Sequence, residues 1–409
     1  MVITLAEMKS IDKTTDGISS LLPNHPIRIS NLHNTTIMIK VKKEGIILTK
    51  SELEFENEGI LNPAVIREGD SVHIFYRAVQ LWNQSTIGYC RLDGPLTVAE
   101  RRSEPLIIPE FEYESHGVED PRIVKIDDTY YMSYTGYDGI NARGALATSK
   151  DLVHFTKRGL IVPPISYAHF VYLVESARKV NENYYNNHKF YYQESDPGEK
   201  ILLWDKNVVF FPRRINGNLV FLHRIRPGIQ LVSIKELKDL TPEFWKDYFQ
   251  HFHDHIVMDP IHKHESSYIG SGCPPIETEQ GWILIYHGVE ETENGLVYAA
   301  CAALLDLNDP SKELSRLPEV LFKPDNEWEL HGTIDNVCFP TGTTLFGGTL
   351  FIYYGAADSC IACASLNLDA LITELLANSD NERKSATIDK IVERPKVHAL
   401  NKSSKNKKK

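Results

Sequence analysis

The chain has 409 residues, 42% of them hydrophobic and 24% charged, a composition that can bury a sizeable core and does not suit a disordered chain. Its 44 Lys+Arg against 55 Asp+Glu give a net charge of −11, which argues against a nucleic-acid-binding surface. Met1–Thr15 lacks the uninterrupted apolar stretch of a secretory signal and no later segment is long enough to cross a membrane, so a cytoplasmic protein is expected.

Residues 1–50 read as an N-terminal extension, with an extended segment at Thr36–Val41. From there to residue 377 one supersecondary pattern occurs five times: a Pro, a short polar or Gly-containing turn, and a strand of large apolar residues with a polar end. The copies run from Asn62-Pro63 to Val72–Arg77, Asp120-Pro121 to Tyr130–Thr135, Phe211-Pro212 to Leu219–Arg224, Pro274-Pro275 to Trp282–His287, and Phe339-Pro340 to Leu350–Tyr354. Each is a hairpin signal, because Gly, Asn or Asp supplies the turn and Pro is tolerated where no ladder N–H is needed. A further strand follows each hairpin: Ile87–Leu92, Gly144–Ser149, Ile229–Ile234, Val297–Leu305 and Cys360–Leu366. Multi-strand units repeating on this scale predict an all-β, five-bladed β-propeller over residues 51–377.

The second proline interval carries an insertion, Ser166–Lys200, that suits either a wall of the propeller mouth or an exposed loop. Asp369–Ala377 has the apolar spacing of a short helix, and residues 378–409 form a polar, Lys-rich tail. Six cysteines show no framework spacing. Cys360 and Cys363 stand as a lone C-x-x-C in a strand-like run, where core packing accounts for them better than zinc or redox chemistry. His251, His253, His255, His262 and His264 supply no recognisable closed ligand set, so no metal is expected.

In a propeller the equivalent strand ends converge on the central axis, and here those ends turn polar. Asp120 precedes the second hairpin, Asn62 holds the matching place in the first, and Arg77 and Asp358 lie at other strand ends. A carboxyl buried in such a cavity, its pKa raised by burial, would protonate a leaving glycosidic oxygen. A cationic set, Arg143, Arg213, Arg214, Arg224 and His287, would suit an anion with several oxygens.

Taken together, Asn62-Pro63, Tyr76-Arg77-Ala78, Val118-Glu119-Asp120-Pro121-Arg122, Phe211-Pro212-Arg213-Arg214-Ile215, Leu222-His223-Arg224, Gly272-Cys273-Pro274-Pro275-Ile276, Tyr286-His287-Gly288 and Tyr354-Gly355-Ala356-Ala357-Asp358 resemble glycoside hydrolase family 130, the mannoside phosphorylases. The resemblance runs from Asn62 to Asp369. It implies inverting phosphorolysis of a β-mannoside to α-mannose 1-phosphate, with the oligosaccharide and inorganic phosphate as substrates and no cofactor. Asp120 matches the family's acid, acting through the mannosyl 3-hydroxyl. Asn62, Arg77 and Asp358 match positions that hold the mannosyl ring, and Arg143, Arg214 and His287 match the phosphate cradle. One departure is visible: Arg214 stands where Lys is expected.

Two other readings stay open on the sequence. An inverting β-mannosidase on the same scaffold would bring Glu290, Glu291 or Glu175 into the pocket as a base, and a non-catalytic glycan-binding propeller would rely on Trp and Tyr platforms. The linkage, the acceptor sugar and a homo-oligomeric state are likewise open.

Overall fold

The computed structural model describes residues 39–175, 180–185 and 201–385. The first 38 residues, most of the expected N-terminal extension, and residues 386–409 of the tail lie outside the described residues.

The body is mostly β and consists of five antiparallel units. The first holds strands Gly59–Glu68, Ser71–Gln80, Gln84–Asp93 and Thr97–Arg101; the second Gly117–Ile126, Thr129–Tyr137, Ala142–Ser149 and Phe155–Leu160. A single parallel bridge, Ser85 to Gly117, joins these two. The third holds Lys206–Phe210, Leu219–Arg224, Ile229–Ile234 and Ile256–Met258, and the fourth Tyr268–Ser271, Ile276–Thr278, Gly281–Thr292, Gly295–Leu305 and Glu313–Arg316. The fifth is Cys338–Phe346, Thr349–Ala356 and Cys360–Asn367, completed by Lys42–Thr49, which pairs with the last of these. The β body therefore begins before residue 51, because the outer edge of the fifth unit is supplied by residues that sequence patterning assigns to the extension. Every repeat strand and every following strand expected from the sequence falls inside one of these strands.

Five apolar clusters lie between the units among the described residues, and they follow the chain in order. Phe75 and Ile87 of the first unit meet Val118 and Met132 of the second. Val124 and Leu146 of the second meet Phe210 and Phe221 of the third. Leu222 of the third meets Trp282 and Leu284 of the fourth, Ile283 and Ala302 of the fourth meet Leu350 and Ile352 of the fifth, and Tyr353 and Ile361 of the fifth meet Ile60, Val72 and Ile74 of the first. Each buried Leu, Ile or Phe contributes about 1.5–3 kcal/mol relative to exposure, so both faces of every sheet carry apolar residues.

The tyrosine at the end of the repeat strand has the same role in four units. Tyr76 donates to Glu56, Tyr134 to Glu114, Tyr286 to Glu265 and Tyr354 to Glu329, each at 2.6–2.7 Å, and all four glutamates are fully buried. A cation closes each pair: Arg101, Lys157, Arg316 and Lys43. Burial of a carboxylate is tolerated here because it is paired and hydrogen-bonded. In the third unit His223 takes the tyrosine's place, between Asp205 Oδ1 and Tyr248 Oη at 2.7 Å each.

Helices fill the connections. Pro242–Gln250 begins at Thr241, whose side chain accepts from Phe244 N, and buries Trp245, Tyr248 and Phe249 at helical spacing. Against it and the turn that follows packs Tyr167–Glu175, part of the insertion, through edge-on contacts of Phe170 with Phe249 and Phe252. That part serves the core and not the mouth. The C-terminal helix, Leu368–Ser385, is longer than expected and buries Leu371 and Leu375. Cys360 and Cys363 are buried in the apolar clusters of their strand. The histidine-rich stretch goes into local packing: His255 stacks on Tyr248, and His262 on His264. Among the described residues no helix is long and apolar enough to cross a membrane.

Candidate active site

Three units share one backbone device. Asn62, Asp120 and Asn207 each have a φ of about +50° (50°, 48° and 56°) at a register shift in the leading strand: Leu61/Ala64, Glu119/Arg122 and Lys206/Val209. Asn and Asp are the non-glycine residues that tolerate this left-handed conformation, and a bulge re-aims the side chain it carries. All three side chains line one cavity of about 730 Å³. Asn62 Nδ2 donates to Asp120 Oδ1 at 2.7 Å. Gly355 makes room for this contact, since a Cβ there would stand 2.2 Å from Asn62 Oδ1.

This equivalence corrects the alignment of the third repeat. Its bulge is Asn207-Val208, with no proline, and Phe211-Pro212 lies at the opposite end of the leading strand. Arg214 is consequently carried away from the cavity: it bonds the carbonyls of Gly217 and Lys235 and pairs with Glu236 and Asp127. Arg213 pairs with Glu277. Neither lines the cavity.

The floor holds three carboxylates and one arginine. Arg77 Nη2 lies 2.8 Å from Glu119 Oε1, and its Nη1 lies 3.7 Å from Asp120 Oδ1. Burial pushes the Asp120 carboxyl up, but Arg77, Lys206, Arg122 and the Asn62 amide outweigh it and hold it below its ordinary value. The expectation of a raised pKa at Asp120 is therefore corrected: cations and a donated hydrogen bond overcome desolvation. Glu119 goes the other way, raised by burial against Arg77 and by its neighbour Asp120. Asp358 is raised to about 6, first by burial, with Arg77 opposing and Asp120 adding to it. Arg122 crosses from the second unit to the fourth, donating to Asp120 O at 2.7 Å and Gly272 O at 2.8 Å, and so fixes the bulge backbone.

The cationic wall is built by the third unit. Lys206 and Arg224 are cross-strand partners, and both line the cavity with Arg226. Among the described residues none of the three makes an ion pair with a carboxylate. Burial, then Arg226, lowers Arg224 to about 10, and burial lowers Lys206. Arg226 stacks 3.8 Å above the Tyr268 ring, and Tyr268 and Tyr298 share a hydrogen bond of 2.8 Å. Asn207 adds an amide whose N and O are both buried and unpartnered.

His287 holds the register position of Arg77 and Arg224 in its own unit but stands behind the wall. It is fully buried and accepts from Arg224 Nη1 at 3.4 Å. Burial, then Arg224, Arg122, Arg226 and Lys206, keep it far below the usual imidazole value, so it is a neutral support and not a cation. Arg143 is buried beside Asp138 at 4.0 Å and does not line the cavity. Of the residues proposed from sequence, the structure brings Asn62, Arg77, Asp120, Arg224 and Asp358 together and leaves Arg143, Arg213, Arg214 and His287 outside. Lys206 and Asn207 went unread because the third unit lacks the proline that marked the others, and Arg226 and Tyr268 because they lie outside the repeat strands Leu219–Arg224 and Trp282–His287. The Asn at the start of the Val208–Phe211 run was the available signal.

An acid cluster thus faces a cationic wall across one cavity of a mostly β body. Residues 41–376 match the family described as beta-1,4-mannooligosaccharide phosphorylase. The chain belongs to glycoside hydrolase family 130. It is 32% identical over 344 residues to a 1,2-beta-oligomannan phosphorylase of Thermoanaerobacter sp. (strain X514), covering 81% of this chain and 98% of that one. A beta-1,2-mannobiose phosphorylase of Listeria innocua is 28% identical over 338 residues, covering 82% of this chain and 80% of that one. In fold the chain is similar to the solved beta-1,2-mannobiose phosphorylase from Listeria innocua, with a TM-score of 0.62 and 22% identity over 82% of this chain and 99% of that one.

Proposed function

We propose that the chain is a five-bladed β-propeller phosphorylase that cleaves a β-mannoside with inorganic phosphate, inverting the anomeric centre to give α-mannose 1-phosphate. The propeller is supported by the five units and by the order of their cores, the fifth against the first. The observation that carries the reaction is the wall of Lys206, Arg224 and Arg226: three cations, unpaired by carboxylates among the described residues, facing a cavity that also holds Asp120. Such a set suits an incoming phosphate, which brings one to two negative charges and several acceptor oxygens.

In this reading Asn62, Arg77 and Asp358 hold the mannosyl ring, and Asp120 delivers the proton through the ring's 3-hydroxyl. Lys206, Arg224 and Arg226, with the Tyr268 hydroxyl and the Asn207 amide, hold phosphate. Charge ties the two halves together. Arg77 and Lys206 help to keep Asp120 ionised. Phosphate offsets that positive field, so Asp120 takes up the proton it must give once the co-substrate is in place. The hydrolytic alternative needs a free carboxylate base. Glu290 is paired with Lys263 at 2.9 Å, and neither it, Glu291 nor Glu175 lines the cavity; Glu119, which does, is engaged by Arg77.

Phosphate serves as co-substrate and the reaction calls on no further cofactor. The six cysteines are buried and unpaired, which supports the reducing cytoplasm as its compartment. The test is ³¹P NMR of the enzyme with phosphate and β-1,2- or β-1,4-mannobiose. An α-mannose 1-phosphate signal is expected from at least one of them, and no sugar phosphate from either would reject the reading.

A further inference from the structure

The turn between the second and third strands of the first unit, Leu81–Asn83, stands at the cavity mouth. Trp82 adopts φ 67° and ψ 21° there and Asn83 φ 57°, two successive left-handed residues, of which the tryptophan is an unusual occupant. The indole is 86% exposed and makes no hydrogen bond or ring contact among the described residues. Exposing so large an apolar ring on a strained turn needs a reason beyond the fold.

The turn is tethered. Gln80 Nε2 donates to Gln84 Oε1 at 2.9 Å across its base, and Arg77 reaches from the cavity floor to Asn83 Oδ1 at 3.5 Å and Ser85 Oγ at 2.9 Å. The turn that carries Trp82 is thus tied, through Asn83 and Ser85, to the same arginine that faces Glu119 and Asp120. Beside it at the mouth are Leu81 and, from the connection between the fourth and fifth units, Ile334, both exposed.

We propose that Trp82 is a stacking platform for the leaving-group side of the mannoside, so that it sets the preference for chains longer than a disaccharide; this rests on the phosphorolysis reading. Inversion requires the nucleophile and the leaving group on opposite faces of the mannosyl ring. The cations that suit phosphate come from the third unit, whose cores are shared with the second and fourth. The first unit shares its cores with the second and fifth, away from that wall. The leaving sugar therefore emerges toward Trp82, Leu81 and Ile334, where the C–H face of a pyranose finds a flat apolar ring and its hydroxyls stay in water.

The test compares full-length wild type, Trp82→Ala and Trp82→Phe. Binding of β-mannobiose, -triose and -tetraose is measured by calorimetry in phosphate-free buffer, and KM for each sugar and for phosphate is measured in turnover. Trp82→Ala should weaken triose and tetraose binding and raise their KM about five- to tenfold, as loss of a ring stack implies, with a smaller effect on the disaccharide. The KM for phosphate should stay unchanged and Trp82→Phe should restore most of the loss. Equal affinity of wild type and Trp82→Ala for triose and tetraose would overturn the proposal. If binding depends on Trp82 but the products are free sugars with or without phosphate, the platform stands and the phosphorolysis reading falls. If wild type binds none of the sugars, both fall.

Discussion

Asn62 donates to Asp120 across 2.7 Å, from the same left-handed bulge position of the neighbouring unit. The amide thereby fixes one oxygen of a carboxylate that lines the cavity. Asp120→Asn should keep the fold and lose about 10²–10⁴ in kcat, the usual contribution of a general acid. Asn62→Ala removes a hydrogen bond to a charged group, worth about 1.5–3 kcal/mol, so kcat should fall about ten- to a hundredfold. Steady-state kinetics on folded variants checks both; near-normal turnover in Asp120→Asn would remove it from the mechanism.

Replacing Lys206 or Arg224 by Ala should raise the KM for phosphate about tenfold or more, because charge-assisted bonds to an anion are the strong ones, while mannoside affinity changes little. Arg214→Ala, which loses only contacts on the distal side of the third unit, should leave both within about twofold. A phosphate KM that follows Arg214 and ignores Lys206 would restore the alignment made through Phe211-Pro212.

That contrast shows what the sequence made legible. The repeat could be read because prolines at the bulges and tyrosines at the strand ends recur, and these bring Asn62, Arg77, Asp120 and Asp358 to one cavity. The third unit breaks both marks: Asn207 is followed by Val208, and His223 stands where Tyr76 and Tyr134 do. The nearest proline was then Pro212, at the wrong end of the strand, and Arg214 came with it. His287 was placed at the right register, but its burial behind Arg224, and hence its neutrality, depends on packing between units that no local pattern carries. The direction of the Asp120 shift was hidden for the same reason, since it is set by Arg77, Lys206 and Arg122 from three different strands.

Asp358 gives a pH-dependent stability. Its carboxyl, raised to about 6 by burial, binds a proton more tightly in the folded chain than in the unfolded one, whose value is near 3.8. Below the unfolded value both states are protonated and nothing is lost. As pH rises through the window up to about 6 the folded state is penalised, and above it the penalty is constant. Asp358→Asn should therefore stabilise the protein at about pH 8 by up to about 2–3 kcal/mol more than at about pH 4, from two pK units at 1.36 kcal/mol each. Urea denaturation at both values checks this, and an equal effect at the two would contradict it.

The buried Tyr–Glu–cation sets should be unequal in their parts. Tyr286→Phe removes one hydrogen bond from Glu265, which keeps Arg316 at 2.9 Å, and should cost about 1–2 kcal/mol. Glu265→Ala also strips a buried arginine of a partner and should cost about 3–5 kcal/mol. Chemical denaturation of the two variants gives the comparison; a smaller loss in Glu265→Ala than in Tyr286→Phe would show that the carboxylate is not what holds the set.

The central claim is that Lys206, Arg224 and Arg226 admit phosphate as the nucleophile. It is tested most directly by following cleavage of β-mannobiose by the wild-type enzyme while phosphate is raised from none to saturation, with free mannose and mannose 1-phosphate measured separately. Negligible cleavage is expected without phosphate, then a hyperbolic rise with it and one α-mannose 1-phosphate formed for each bond broken. Release of free mannose from both halves of the substrate, at a rate independent of phosphate, would contradict it.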